Sequence, residues 1–251
     1  GPVVGGLLAV HHYGLLFVVD AATCWVAALV LAAFLRGLSL TRAAAEDGEE
    51  RRSPWRDGPF LAFLILAFLL ATVFYQIFST LPVYLRSHFG FAEDGIVLVL
   101  AVNTVIIVLF EMVLLRRMEH LDLLRVAAFG SFLVCLGFAL MPISGAAVWA
   151  PLTVVVWTLG EMLSLPITNS LAAARAPGTG NGRYLGAYLL AFSLAFVAGP
   201  AAGTALYEAI GPTALWAAIG GLGLVLAAGF LLLAATHRSG RRPWAAGRAR
   251  S

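Results

Sequence analysis

The chain has 251 residues, 61% of them hydrophobic and only 12% charged, with a mean hydropathy of +0.93. Soluble proteins carry about 25% charged residues, so this composition excludes an ordinary soluble domain and indicates a membrane protein. The net charge of +3 rests on 16 basic residues, all arginine, placed in short loops between apolar runs. With no aromatic interleaving, they read as membrane topology rather than as a nucleic-acid surface.

In chain order, residues 1–10 open on "GPVVGG", apolar but too short to span, and read as the outer half of a helix whose beginning is absent. A bilayer core of about 30 Å takes roughly 20 apolar residues as a helix, because every backbone polar group must be paired within the segment. Seven runs meet that length: 14–35, 59–85, 95–115, 125–143, 149–172, 184–206 and 213–235. The segment 36–58 is the one long polar stretch, mixing arginine with Glu46, Asp47, Glu49 and Glu50, and reads as a linker. Residues 236–251 form a basic tail.

Arginines are retained on the cytoplasmic side of short loops. Arg36, Arg42, Arg51, Arg52 and Arg56 fall in the linker, Arg116, Arg117 and Arg125 in a second loop, Arg175 and Arg183 in a third, and five more in the tail. Only Arg86 falls on the other face. This predicts a cytoplasmic linker and C-terminus. Cys24 and Cys135 stand alone in apolar segments and suggest neither a disulfide framework nor a zinc site.

The stretch Gly1, Pro2, Gly5 has the same spacing as Gly199, Pro200, Gly203, and the two copies lie six spans apart. Glycines four apart permit close helix contact, and the proline between them bends the helix. A motif repeated at equivalent positions marks an internal duplication. "GPVVGGLLA" with "LLFVVDAATCWVAALVL" resembles the fifth and sixth helices of the major facilitator superfamily, where Gly-Pro-x-x-Gly-Gly is associated with antiporters. "FYQIFSTLPVYL", "WTLGEMLSLPITNSLAA" and "GRYLGAYLLAFSLAFVAGPAAG" resemble helices seven, ten and eleven of its bacterial multidrug-efflux, drug:proton antiporter branch.

The resemblance implies an all-α polytopic membrane protein with the superfamily fold, lacking the first four helices and part of the fifth. Residues 1–35 then belong to the N-terminal six-helix half, 36–58 to the linker and 59–235 to the C-terminal half. It further implies a bacterial plasma membrane location and missing N-terminal helices in the complete protein. The family's signature loop is absent, and its relative survives only as the degenerate "RRMEHLDLLR".

Polar residues inside spans are the functional pointers, since a charged residue at mid-bilayer costs about 2.5 to 3.5 kcal/mol on insertion scales. Glu161 is central in its span, and at helical spacing Thr158, Ser164 and Thr168 share its face, with Asn169 at the margin. Thr72, Tyr75, Gln76 and Ser79 form a matching stripe. The resemblance implies that both helices line one central cavity. A carboxyl group that alternates between dry and wet exposure binds and releases a proton, which makes Glu161 the proton-coupling candidate. A structural carboxyl bonded to a neighbouring helix is the alternative.

Asn103 and Tyr188 join the cavity candidates, while Arg175 and Arg183 are gate candidates as the halves rock. Glu111, with Arg116 and Arg117 close behind, reads as a loop salt bridge.

No nucleotide-binding, cofactor-binding or metal-binding pattern is present, and enzymatic chemistry is not indicated. The expected activity is proton-coupled export of small amphipathic compounds by alternating access, with a small-molecule substrate, a proton and the lipid bilayer as partners. Transport of a specific metabolite, a sugar or a peptide, is the second reading. A truncated membrane protein that does not transport is the third.

Overall fold

The computed structural model describes residues 13–35, 53–118, 120–175 and 181–239. Gly1, Pro2 and Gly5, most of the expected linker and the end of the basic tail lie outside them. The chain forms two compact units, Gly1–Asp47 and Gly48–Ser251.

The first unit contributes α1 (Tyr13–Leu35), apolar on every face and long enough to cross a bilayer. Such a helix has no solvent side, which is the property of a membrane span rather than of an amphipathic surface helix.

The second unit is all helical among its described residues. α2 (Gly58–Phe74) starts at Asp57, whose carboxylate accepts the Phe60 amide hydrogen at 3.3 Å. Pro59 in its first turn gives up no helical hydrogen bond. The following elements are α3 (Thr80–Phe89), α4 (Glu93–Met118), α5 (Leu123–Ala139), α6 (Trp149–Ala174), α7 (Asn181–Ile210) and α8 (Pro212–Ser239). Including α1, seven helical segments of the described residues are long and apolar enough to span a membrane.

The expected span 59–85 is not one continuous helix. It breaks at a 3-10 turn, Tyr75–Phe78, before α3 begins. Pro82 cannot donate to the Phe78 carbonyl, and the hydroxyls of Ser79 and Thr80 turn back onto Gln76 Oε1. Neither glycine nor proline stands at residues 75–78, so the sequence does not mark the break. α3 closes at Gly90, whose φ of 71° is a left-handed cap that favours glycine.

α5 sits at the centre, packed on α6 and α8, while α2 packs on α7 and α4 on α6. The α5–α6 contact is close because it is made across glycines. A Cβ at Gly160 would strike the Val134 amide nitrogen and the Gly130 carbonyl. This is the close backbone approach that small residues permit in membrane bundles. About one turn along the same helices, Phe138 is sandwiched between Trp157 and Trp216 of α8, with ring centroids 5.7 and 5.5 Å away and planes within 7°. All three rings are fully buried.

Candidate functional site

A cavity of about 740 Å³ opens among the turn at Tyr75–Phe78, α4, α6 and α7. Its acids are Glu161 from α6 and Glu111 from α4, and its aromatic wall is Tyr75, Tyr188, Phe192 and Phe196. The rings are set edge to face or tilted: Tyr75 meets Phe196 at 5.1 Å and Tyr188 meets Phe192 at 4.6 Å between centroids. Among the described residues, no arginine or histidine lines this cavity.

Glu161 is fixed by α4. Asn103 Nδ2 donates to Glu161 Oε2 at 2.7 Å and lies 3.1 Å from Thr158 Oγ1, so one amide spans both groups. Asn103 therefore stands beside the carboxylate as its orienting partner, without lining the cavity itself.

The polar stripe expected on α6 divides. Glu161 and Asn169 reach the cavity together with Met162, Leu165 and Pro166. Thr158, Ser164 and Thr168 are fully buried against neighbouring helices and do not. Their hydroxyls donate to carbonyls four residues back, Thr158 to Val154, Ser164 to Gly160 and Thr168 to Ser164. A hydroxyl satisfied by its own helix can pack in the core. Thr168 also lies 3.0 Å from the Tyr188 hydroxyl and thus positions a ring of the wall.

The α2 stripe divides in the same way, with Tyr75 alone facing the cavity. Thr72 bonds back to Phe68, and Ser79 turns to Gln76. Gln76 is buried and fully engaged: its Nε2 donates to the carbonyls of Thr72 and Gly199, both at 2.9 Å. Gly199 and Gly203 are buried where α7 meets α2, and a Cβ on Gly203 would collide with the Gln76 amide. Gln76 thus serves as an interhelical clamp rather than as a cavity group. Pro200 lies between these glycines inside α7.

Of the two gate candidates, Arg175 is committed within its own unit. Its Nε and Nη2 donate to Asp57 Oδ2 and Oδ1, each at 2.9 Å, and the Tyr184 hydroxyl lies 3.4 Å from Oδ2. This ties the end of α6 and the start of α7 to the start of α2. Arg183 is exposed on the first turn of α7.

Glu111 is the residue that the sequence reading assigned elsewhere. It makes no ion pair among the described residues. Arg116 and Arg117 follow it by five and six positions, which places them on other faces of the helix, whereas pairing needs three or four. The signal that would have found it is the row Asn103, Ile107, Glu111, spaced by four along one face. No three His, Cys, Asp or Glu side chains gather in a metal-binding group among the described residues.

These features define a polytopic helical membrane protein with an acidic, aromatic cavity open among its helices. The model of the Major Facilitator Superfamily matches residues 1–198, and the chain belongs to that family of transporters. No curated protein matches it. Two solved structures of POT family transporters are similar in fold, one in complex with 5-aminolevulinic acid and one in complex with a thioalcohol-conjugated peptide. They superpose with TM-scores of 0.64 and 0.63 at 20% identity, covering 90% of this chain and 54% of each of theirs. The chain thus spans about half the length of these structures.

Proposed function

We propose that the native-length protein is a proton-coupled exporter of small amphipathic compounds that works by alternating access. On this reading residues 59–235 are its C-terminal six-helix half, 1–35 belong to the other half, and the arginine-rich end faces the cytoplasm. The observation that carries it is Glu161, a carboxylate at mid-helix in an aromatic cavity, oriented by Asn103 at 2.7 Å.

An intramembrane carboxylate held by one neutral partner is free to exchange its proton with whichever compartment the cavity opens to. Opened outward, Glu161 takes a proton, and opened inward it releases that proton as the compound loads. One proton then enters for each compound that leaves. The aromatic faces supply the apolar contact that amphipathic compounds need.

A second reading, transport of peptides or related amino acids, draws on the two POT family structures with their bound ligands. A free substrate carboxylate calls for a cation, and the charged side chains of the described lining are both acids, which favours the first reading. The test is transport in proteoliposomes of the native-length protein. Glu161→Gln is expected to abolish export of an amphipathic probe driven by a pH gradient while the protein still inserts. Gradient-driven export retained in that variant overturns the coupling role, and gradient-driven dipeptide uptake by the wild type establishes the second reading.

A further inference from the structure

The two acids of the cavity have different surroundings. Glu161 is bonded to Asn103 at 2.7 Å, whereas Glu111 is half-buried and has neither a hydrogen bond nor an ion pair among the described residues. Both line the same cavity. Paired carboxylates whose environments differ take different roles. The one with a fixed neutral partner is suited to gaining and losing a proton, and the other presents an open negative charge.

The lining around Glu111 is built to accept. Pro166 and Pro200 lie inside α6 and α7, and a proline cannot donate to the carbonyl four residues back. Those carbonyls belong to Met162 and Phe196, both of which line the cavity. Tyr75, Tyr188, Phe192 and Phe196 offer ring faces, which attract organic cations. The remaining titratable groups that face Glu111 from the packed helices are Glu161, Tyr75 and Tyr188, and none of them is a cation. A positive group entering here meets a carboxylate and aromatic faces, and no cationic side chain of the described lining repels it.

We propose that Glu111 receives the positive charge of the transported compound and sets the preference for cations, leaving Glu161 to carry the proton. The proposal rests on the export reading for the identity of the site, but it is tested by binding alone. The native-length protein, purified in detergent, is titrated with tetraphenylphosphonium at neutral pH by equilibrium dialysis. Glu111→Gln is expected to weaken binding by at least about tenfold, the loss of a charge partner in a partly dry site. Glu111→Asp, which keeps the charge, is expected to stay within about threefold of the wild type, and Glu161→Gln to weaken binding clearly less than Glu111→Gln.

Monodisperse elution of each variant shows that it is folded. Loss of binding in Glu161→Gln but not in Glu111→Gln overturns the assignment, as does equal loss in both or the absence of binding by the folded wild type. Should the expected pattern appear without pH-driven export, the coupling reading falls and the assignment of Glu111 stands.

Discussion

Asp57 caps α2 through the Phe60 amide and holds Arg175 through two hydrogen bonds, so its two duties can be separated by substitution. Burial pushes its carboxyl up, but the hydrogen bonds and charge of Arg175, with the Phe60 amide and the Tyr184 hydroxyl, outweigh that and hold it below its ordinary value. A depressed folded-state value means that the pair's contribution is fully present above the unfolded-state value of about 3.9 and is lost as pH falls through the folded value. Asparagine is also a good N-cap, so Asp57→Asn keeps the cap and removes the charge. With Arg175 left in a largely buried position, it is expected to destabilise by about 2 kcal/mol at neutral pH. Asp57→Ala loses about 1 kcal/mol more with the cap. Thermal melts in detergent across the acid range check both points. The wild type should lose stability toward the most acidic pH, while Asp57→Asn should lack that component. A wild type and variant with parallel profiles would remove the pair from the account.

At the scale of elements, the α2–α7 contact depends on Gly203 leaving room for Gln76, whose amide reaches the Gly199 carbonyl. Gly203→Ala alone should cost about 2 kcal/mol, since it displaces a buried amide that serves two carbonyls and two hydroxyls. In a Gln76→Ala background the same substitution should cost about 1 kcal/mol less, because the group it strikes is gone. Additive costs in the double-mutant cycle would show that the two residues do not meet.

Sequence made the seven spans legible because hydropathy and length decide them, and Glu161 because a carboxylate in an apolar run is conspicuous. The turn at Tyr75–Phe78 was hidden, since no glycine or proline marks it and it is produced by Pro82 and by hydroxyls that read as one stripe of a continuous helix. Thr158, Ser164 and Thr168 misled by being polar in sequence while their hydroxyls are satisfied within their own helix. Glu111 was obscured by nearby arginines that helical phase turns to other faces.

At the scale of the whole molecule, the arginines of the second unit define its orientation. α4 ends at Arg116 and Arg117, α5 begins near Arg125, α6 ends at Arg175 and α7 begins near Arg183, so helix alternation brings these residues to one end. Arg86 lies at the other end, paired with Glu93. The excess of arginine predicts that the first end is cytoplasmic. Two turns bracket α5, at exposed His120 on the arginine-rich side and at exposed Ala147 on the far side. With Cys24 and Cys135 replaced by serine in the native-length protein, His120→Cys and Ala147→Cys provide single reporters for a membrane-impermeant maleimide. Intact cells should label Ala147→Cys only, and permeabilised cells should label both. Labelling of His120→Cys alone in intact cells would place the arginine-rich end outside the cell and overturn the expected orientation, because the turn at His120 shares the end that carries Arg116, Arg117, Arg125, Arg175 and Arg183.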